Sequence, residues 1–210
     1  MSSVSASLIG VWLNDLGTPF LHGGVVVRDG QGILLGGSGG SGKSTTALSC
    51  LEAGWDYLGD DAIAVGQFDA NSFVAHSVYS TATLAPDHMH NFNRLISHSI
   101  RGFNPGEDKD LVILTRLYPG QMQRSARIKA LVIPKVTGKT TPAVCPLRKI
   151  DAMLLVAPSS VLYLPNAGAA YLNLLGSIIQ SVPCYMLELG GDIGQIPGCM
   201  STILKELTLP

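Results

Sequence analysis

The sequence has 210 residues, with 14 Lys and Arg against 15 Asp and Glu, 46% apolar residues, 24 glycines and 12 prolines. That length holds one domain with an ample core, and the composition excludes a disordered, collagenous or coiled-coil chain. A net charge of −1 excludes a globally basic nucleic-acid binder, and only 14% of the residues are charged, against roughly 25% in an ordinary soluble domain.

In chain order, the N-terminus MSSVSASLIGVWLNDLG lacks the basic start of a secretory signal. His22–Val27 and Ile33–Leu35 read as two β runs joined by the turn-rich Arg28-Asp29-Gly30-Gln31-Gly32. A glycine-rich segment, Gly36 to Gly42, follows. Ser44–Ala53 then reads as a helix with apolar Ala47, Leu48 and Leu51, stopped by Gly54. Tyr57-Leu58 and Ala62–Val65 suggest one strand around Asp60-Asp61, Phe73–Val78 a second strand, and Pro86–His98 a helix. Ile100–Asp110 reads as a mobile loop, and Leu111–Tyr118 and Ile128–Val136 as strands. Helices follow around Ile150–Val156 and Ala169–Ile179, then a strand Cys184–Leu189, a turn at Gly190-Gly191 and a closing helix Ile196–Leu207. Hairpins mixed with a strand–loop–helix unit make this an α/β fold with a mixed sheet.

No apolar run reaches the roughly 18 residues a membrane helix needs. The longest candidates, Met153–Leu164 and Ala167–Ile179, are broken by Pro, Ser and Asn. Cys50, Cys145, Cys184 and Cys199 are scattered without a C-x-x-C pair, as expected for reduced core thiols in the cytoplasm. Charge is unevenly placed. Residues 111–150 carry eight basic side chains (Arg116, Arg124, Arg127, Lys129, Lys135, Lys139, Arg148, Lys149) and no acid. Such a run is either a solvated face or a patch for phosphate or an acidic partner.

The chemistry concentrates in Gly37-Ser38-Gly39-Gly40-Ser41-Gly42-Lys43-Ser44, which fits G-x-x-x-x-G-K-[ST] between an apolar strand and a helix. Glycines let the backbone curl its N–H groups around phosphate oxygens, and the helix N-terminus adds a favourable dipole. Residues Gly37 to Ser44, with Thr45 behind them, are the expected nucleotide contacts. Lys43 reaches the β- and γ-phosphates, and Ser44 ligates Mg²⁺. Asp60 and Asp61 follow 17 and 18 residues after Lys43, where one helix and a short return bring the chain back toward the loop. Along an extended backbone two adjacent carboxylates point apart. One can then hold Mg²⁺ while the other takes the proton of an attacking hydroxyl.

His22-Gly23 stands 15 residues before Gly37. His-Gly-strand, hairpin, glycine loop, helix, Gly and Asp-Asp together resemble, in order and spacing, the catalytic domain of HPr kinase/phosphorylase. The dense match covers His22–Val65, about a fifth of the chain. Softer likenesses, His76-Ser77-Val78-Tyr79, Ile133 to Gly138 and Glu188 to Asp192, point to HPr-kinase-like serine kinases of lasso-peptide and other ribosomal-peptide clusters. The resemblance implies a P-loop fold like that of phosphoenolpyruvate carboxykinase, ATP and Mg²⁺ as cofactors, and phosphorylation of a serine hydroxyl. It implies His22 near the transferred phosphate, Asp61 as general base and Asp60 on the metal side, although neighbouring carboxylates can exchange these roles.

The departures are equally plain. No Glu-x-Arg-Gly occurs, Arg101-Gly102 being preceded by Ser99-Ile100, and Thr45 replaces the family's Glu after Ser44. HPr as substrate and phosphorolysis are therefore not carried over. The expected arrangement is one kinase domain over residues 1–210 without the family's separate N-terminal domain. A serine peptide or protein is the expected substrate, a ribosomal-peptide precursor among the candidates, with no nucleic acid or membrane partner. Few charges, and the family's habit, lead to an expected homo-oligomer. An arginine to steady the transferring phosphoryl is expected from Arg116, Arg124 or Arg127. Asp192 reads as a turn or cap residue.

Two alternatives stay open: a kinase of small hydroxyl metabolites, and a non-catalytic ATP sensor. The first usually opens close to its phosphate loop, whereas 36 residues precede Gly37 here. The second needs no pair of carboxylates. GTPases and transport ATPases are disfavoured by the lack of Asn-Lys-x-Asp and Leu-Ser-Gly-Gly-Gln.

Overall fold

A computed structural model describes residues 18–85, 90–101, 109–163 and 169–208. It shows the mixed α/β architecture that the sequence predicts. Three parallel strands form its centre: β3 (Gln31–Leu35), β10 (Ser125–Val136) and β12 (Cys184–Leu189), with β10 in the middle. Where the three lie side by side, at Ile33–Leu35, Ala130–Pro134 and Cys184–Leu187, their residues are apolar and mostly buried, as strands covered on both faces must be. Leu34 lies opposite Leu131, and Leu131 opposite Cys184.

Antiparallel strands extend the sheet. On one side β2 (Gly24–Arg28) forms the hairpin with β3, and β4 (Asp56–Gly59) pairs with β2 at the edge. On the other side, β6 (Ser72–Ser77) pairs with the start of β10, then β5 (Ile63–Asp69) with β6, and β1 (Phe20–Leu21) with β5. The 12 residues of β10 are shared along this side, the first three by β6 and the last six by β12. A short strand, β11 (Ala143–Pro146), closes the β12 edge.

Side-chain alternation divides the core between the two sheet faces. On one face Val26, Ile33, Leu35, Ala130, Val132 and Leu187 meet helices α1 (Lys43–Glu52) and α4 (Ile196–Thr208). On the other, Val25, Leu34, Leu131 and Ile133 meet α2 (Lys149–Tyr163) and α3 (Ala169–Ser181). A second, three-stranded sheet has β9 (Asp110–Ile113) between β7 (Thr81–Leu84) and β8 (Ser99–Ile100). Its Ala82, Leu84 and Val112 are buried in the α1-side core. Helix α1 ends where expected, at Gly54 with φ 84°. The Gln121 amide nitrogen then donates to the carbonyls of Leu51 and Trp55, satisfying acceptors that a helix end leaves open.

Four expectations change. The strand expected around Asp60-Asp61 is two strands, β4 and β5, with the carboxylates in the turn between them. The strand expected over Leu111–Tyr118 ends at Ile113, and Leu114–Leu117 forms a helical turn; its apolar run fits either period, and buried Leu114 fixes the turn. Of the helix expected over Pro86–His98, Asn93–Ile96 is helical, while residues 86–89 lie outside the described part. The strand β11 was not expected, because Ala-Val-Cys-Pro is short and carries no alternation. The expected loop Ile100–Asp110 falls largely on residues 102–108, outside the described part.

No helix among the described residues is long and apolar enough to cross a membrane. All four cysteines are free. The scarcity of charge shows at the surface as Ile150 and Leu154, 60% and 67% exposed and one helical turn apart on α2.

Candidate active site

In an open sheet, ligands gather beyond the C-terminal ends of the parallel strands. Leu35, Val136 and Leu189 end β3, β10 and β12 at one edge, and the glycine-rich segment starts there. The Gly36 N–H donates to the Val132 carbonyl at 3.0 Å, anchoring the segment to the neighbouring strand. Helix α1 begins at Lys43 with Gly42 as its cap residue, no side-chain cap bond and no acidic side chain in its first turn. Its leading N–H groups therefore have no side-chain cap from their own segment, which suits an external anion. Gly42 is required here: its φ is 105°, and a Cβ would lie 2.1 Å from Leu189 Cδ1.

Lys43 is buried, 5% exposed, and its Nζ donates to the carbonyls of Gly37 at 2.8 Å and Ser38 at 2.9 Å. The ammonium thus bridges the mouth of the loop. Burial lowers its pKa, and the nearby charges of Asp60 and Asp61 work against that. The buried Ser41 hydroxyl has no hydrogen-bond partner, while Ser38, Gly39 and Gly40 are exposed and Ser44 and Thr45 half-buried.

The two carboxylates occupy different environments. Asp60 is 5% exposed. Its Oδ1 accepts the Asp61 N–H at 3.0 Å, and its Oδ2 is buried without a partner. Burial, with Asp61 adding to it, pushes its carboxyl pKa up to about 7, while the neighbouring Ser44 hydroxyl and Lys43 ammonium pull the other way. Asp61 is half-buried, and its Oδ2 accepts a hydrogen bond from Thr83 at 3.1 Å.

Backbone geometry sets this difference. Ala62 N–H donates to the Asp60 carbonyl at 2.8 Å across Asp61, whose φ is 66°. A bond over three residues with positive φ at the centre marks a strained γ-type turn. The two side chains diverge because of this turn, and not because they alternate on an extended strand as the spacing suggested.

His22 completes the cluster. The following Gly23 leaves no room for a side chain, because a Cβ would lie 2.6 Å from the Leu35 carbonyl oxygen. This close approach brings His22 against the end of β3. Its Nδ1 lies 2.9 Å from the Asp61 carbonyl oxygen. Because a carbonyl only accepts, the proton sits on Nδ1. Burial lowers the His22 pKa, and the Lys43 charge lowers it further while Asp61 opposes both. The ring is therefore neutral near pH 7.

His22, Lys43, Asp60 and Asp61 thus meet at the loop as the sequence predicts, and Thr83 joins them. Nothing in the sequence marked Thr83, which arrives from the small sheet, 22 residues beyond Asp61. The expected arginines do not join them. Arg127 pairs with Gln31 at the start of β3, the end remote from the loop, and stacks on Phe68 at 3.9 Å. Arg124 lies just before β10 at that same end, and Arg116 is exposed on the turn Leu114–Leu117. The acid-free basic stretch is therefore spread over the molecule. Asp192 caps a turn, its Oδ1 accepting the Gly194 N–H at 3.0 Å. Among the described residues no group of three or more His, Cys, Asp or Glu could hold a metal.

Comparison with known proteins agrees with the resemblance read from the motifs. The family described as "SynChlorMet cassette protein ScmC" matches residues 4–100. The chain is 38% identical over 61 residues to the HPr kinase/phosphorylase of Treponema pallidum, covering 29% of this chain and 19% of that protein. It is 40% identical over 57 residues to the HPr kinase/phosphorylase of Lactobacillus acidophilus, covering 27% of this chain and 18% of that one. The match thus spans about a fifth of these curated relatives. The solved HPr(Ser) kinase/phosphatase from Coxiella burnetii aligns with a TM-score of 0.48 and 14% identity, over 89% of this chain and 94% of that one.

Proposed function

We propose that this chain is a kinase that transfers the γ-phosphoryl group of ATP, with Mg²⁺, to a serine hydroxyl of a peptide or protein. One observation carries the reading. Two adjacent carboxylates, one buried with an unpartnered oxygen and one held by Thr83 nearer the surface, meet the glycine loop and Lys43 at one sheet edge. The similarity to proteins named HPr kinase/phosphorylase supports the same class of chemistry.

In this reading the loop Gly37–Ser44, with Thr45, wraps the phosphates through its N–H groups, and Lys43 adds a charged donor. The residues fit Mg²⁺: Asp60 Oδ2 is a buried carboxylate oxygen without a protein partner, and the Ser44 hydroxyl neighbours the same carboxyl group. Bound there, Mg²⁺ would neutralise phosphate charge. Asp61 receives the proton of the attacking hydroxyl. As that oxygen bonds to the γ-phosphorus, the bond to the bridging oxygen breaks and its electron pair leaves with ADP. His22 positions Asp61 by donating to its carbonyl.

The alternatives are a kinase of small hydroxyl metabolites and an ATP sensor. Pure binding gives no reason to fix Asp61 through both its backbone and its side chain. A serine-containing precursor peptide made by the ribosome is the acceptor the resemblance suggests. The test offers γ-labelled ATP with serine peptides and, separately, with small alcohols and sugars. Label on peptide serine supports the proposal, label on a metabolite supports the first alternative, and tight ATP binding without any transfer supports the sensor.

A further inference from the structure

Phosphoryl transfer places charge on three equatorial oxygens that the protein must steady. Lys43 already spends two of its three N–H donors on Gly37 and Ser38, and the arginines of the basic stretch are elsewhere. The small sheet supplies a different cation. Antiparallel pairing sets Thr83 opposite Leu111 and Leu84 opposite Asp110. Ala82, Leu84 and Val112 fill the core, so Thr81, Thr83 and Leu111 belong to the opposite face.

Thr83, on that face, reaches the Asp61 carboxylate. Lys109 immediately precedes β9, two positions before Leu111, so strand alternation carries it onto the face that holds Thr83. It is exposed, and among the described residues it makes no ion pair. Burial is the main cause that lowers the pKa of His22 and of Lys43, and the Lys109 charge adds a smaller lowering to both, as an ammonium facing the same cleft would. The neighbouring cation Arg101 is 3.8 Å from the Asp110 carboxylate instead.

Resting on the kinase reading, we propose that Lys109 is the second phosphate-facing cation of the site, carried by the small sheet to the γ-phosphate of bound ATP on the Asp61 side. This gives the small sheet a double task, steadying the carboxylate through Thr83 and the phosphate through Lys109.

The test titrates ATP and ADP, each with Mg²⁺, into wild type, Lys109→Ala and Lys109→Arg. A cation that meets only the γ-phosphate discriminates between the two nucleotides. Lys109→Ala should lose about 10-fold in ATP affinity and less than about 2-fold in ADP affinity, and Lys109→Arg should restore ATP binding. ATP affinity that is unchanged, or that falls together with ADP affinity, overturns the assignment of Lys109. A wild-type protein that binds neither nucleotide overturns the kinase reading and this assignment with it.

Discussion

Asp61→Asn should lower the rate of phosphoryl transfer by roughly 10²–10⁴-fold, the contribution of a positioned general base, while ATP binding and thermal stability stay within error of wild type. The substitution is chosen for its backbone. Asp61 sits at φ 66°, a conformation that Asn tolerates. Alanine would add roughly 1–2 kcal/mol of strain there and blur the reading. Asn also keeps an oxygen for the Thr83 hydroxyl, which now reaches Oδ2 at 3.1 Å, and leaves the His22 bond to the main-chain carbonyl untouched. The negative charge is lost, and with it the basicity and the push that Asp61 gives to the Asp60 pKa. Single-turnover rates alongside ATP titrations check the outcome, and near-wild-type turnover would remove Asp61 from the role of base.

The second large effect concerns Asp60, where function and stability oppose each other. Its folded-state carboxyl is raised to about 7, whereas an unfolded Asp ionises near pH 3.9. Below about pH 4 both states hold the proton and the group contributes nothing. Between there and about 7 the folded state holds a proton that the unfolded chain has released. Stability therefore falls as pH rises through this window and stays reduced above it. Asp60→Asn removes the ionisation, and its amide oxygen can still accept the Asp61 N–H.

The variant should consequently gain on the order of 2–4 kcal/mol relative to wild type at pH 8, and little at pH 4. It should transfer no phosphate, and Mg²⁺ with ATP should stabilise it less than wild type. Melting both proteins at several pH values reads the difference, and the subtraction cancels the opposite trend from neutral, buried His22. A variant no more stable than wild type at pH 8 would show that Asp60 is comfortably ionised without a cation.

Much of the site was legible because it is local. The loop, its lysine and the helix behind it follow from glycines, one strand and one helix in succession, and a 17-residue spacing then reaches Asp60. The mixed sheet was legible through its hairpin and its strand–loop–helix unit, and β12 falls on Cys184–Leu189 as expected. What escaped is non-local. Thr83 reaches Asp61 only because a second sheet folds onto α1, and no spacing in the chain encodes that docking. Asp61 at positive φ escaped because an Asp-Asp pair suits either a strand or the turn that ends one, and the apolar residues on both sides favoured the strand. The arginine expectation failed because charge density along a sequence says nothing about which end of a strand faces the loop. Arg127 lies on the right strand, β10, but at the wrong end.

A kinase site moves the γ-phosphoryl group of ATP, whereas a sensor only holds it. Phosphorus NMR of the wild-type protein with ATP, Mg²⁺ and a mixture of serine peptides follows every phosphorus atom at once. The γ-phosphate signal should decay into a serine phosphomonoester, with ADP appearing in equal amount, and Asp61→Asn should leave the spectrum unchanged. ATP that binds tightly while its γ-phosphate persists, or appears only as inorganic phosphate, would contradict the kinase reading.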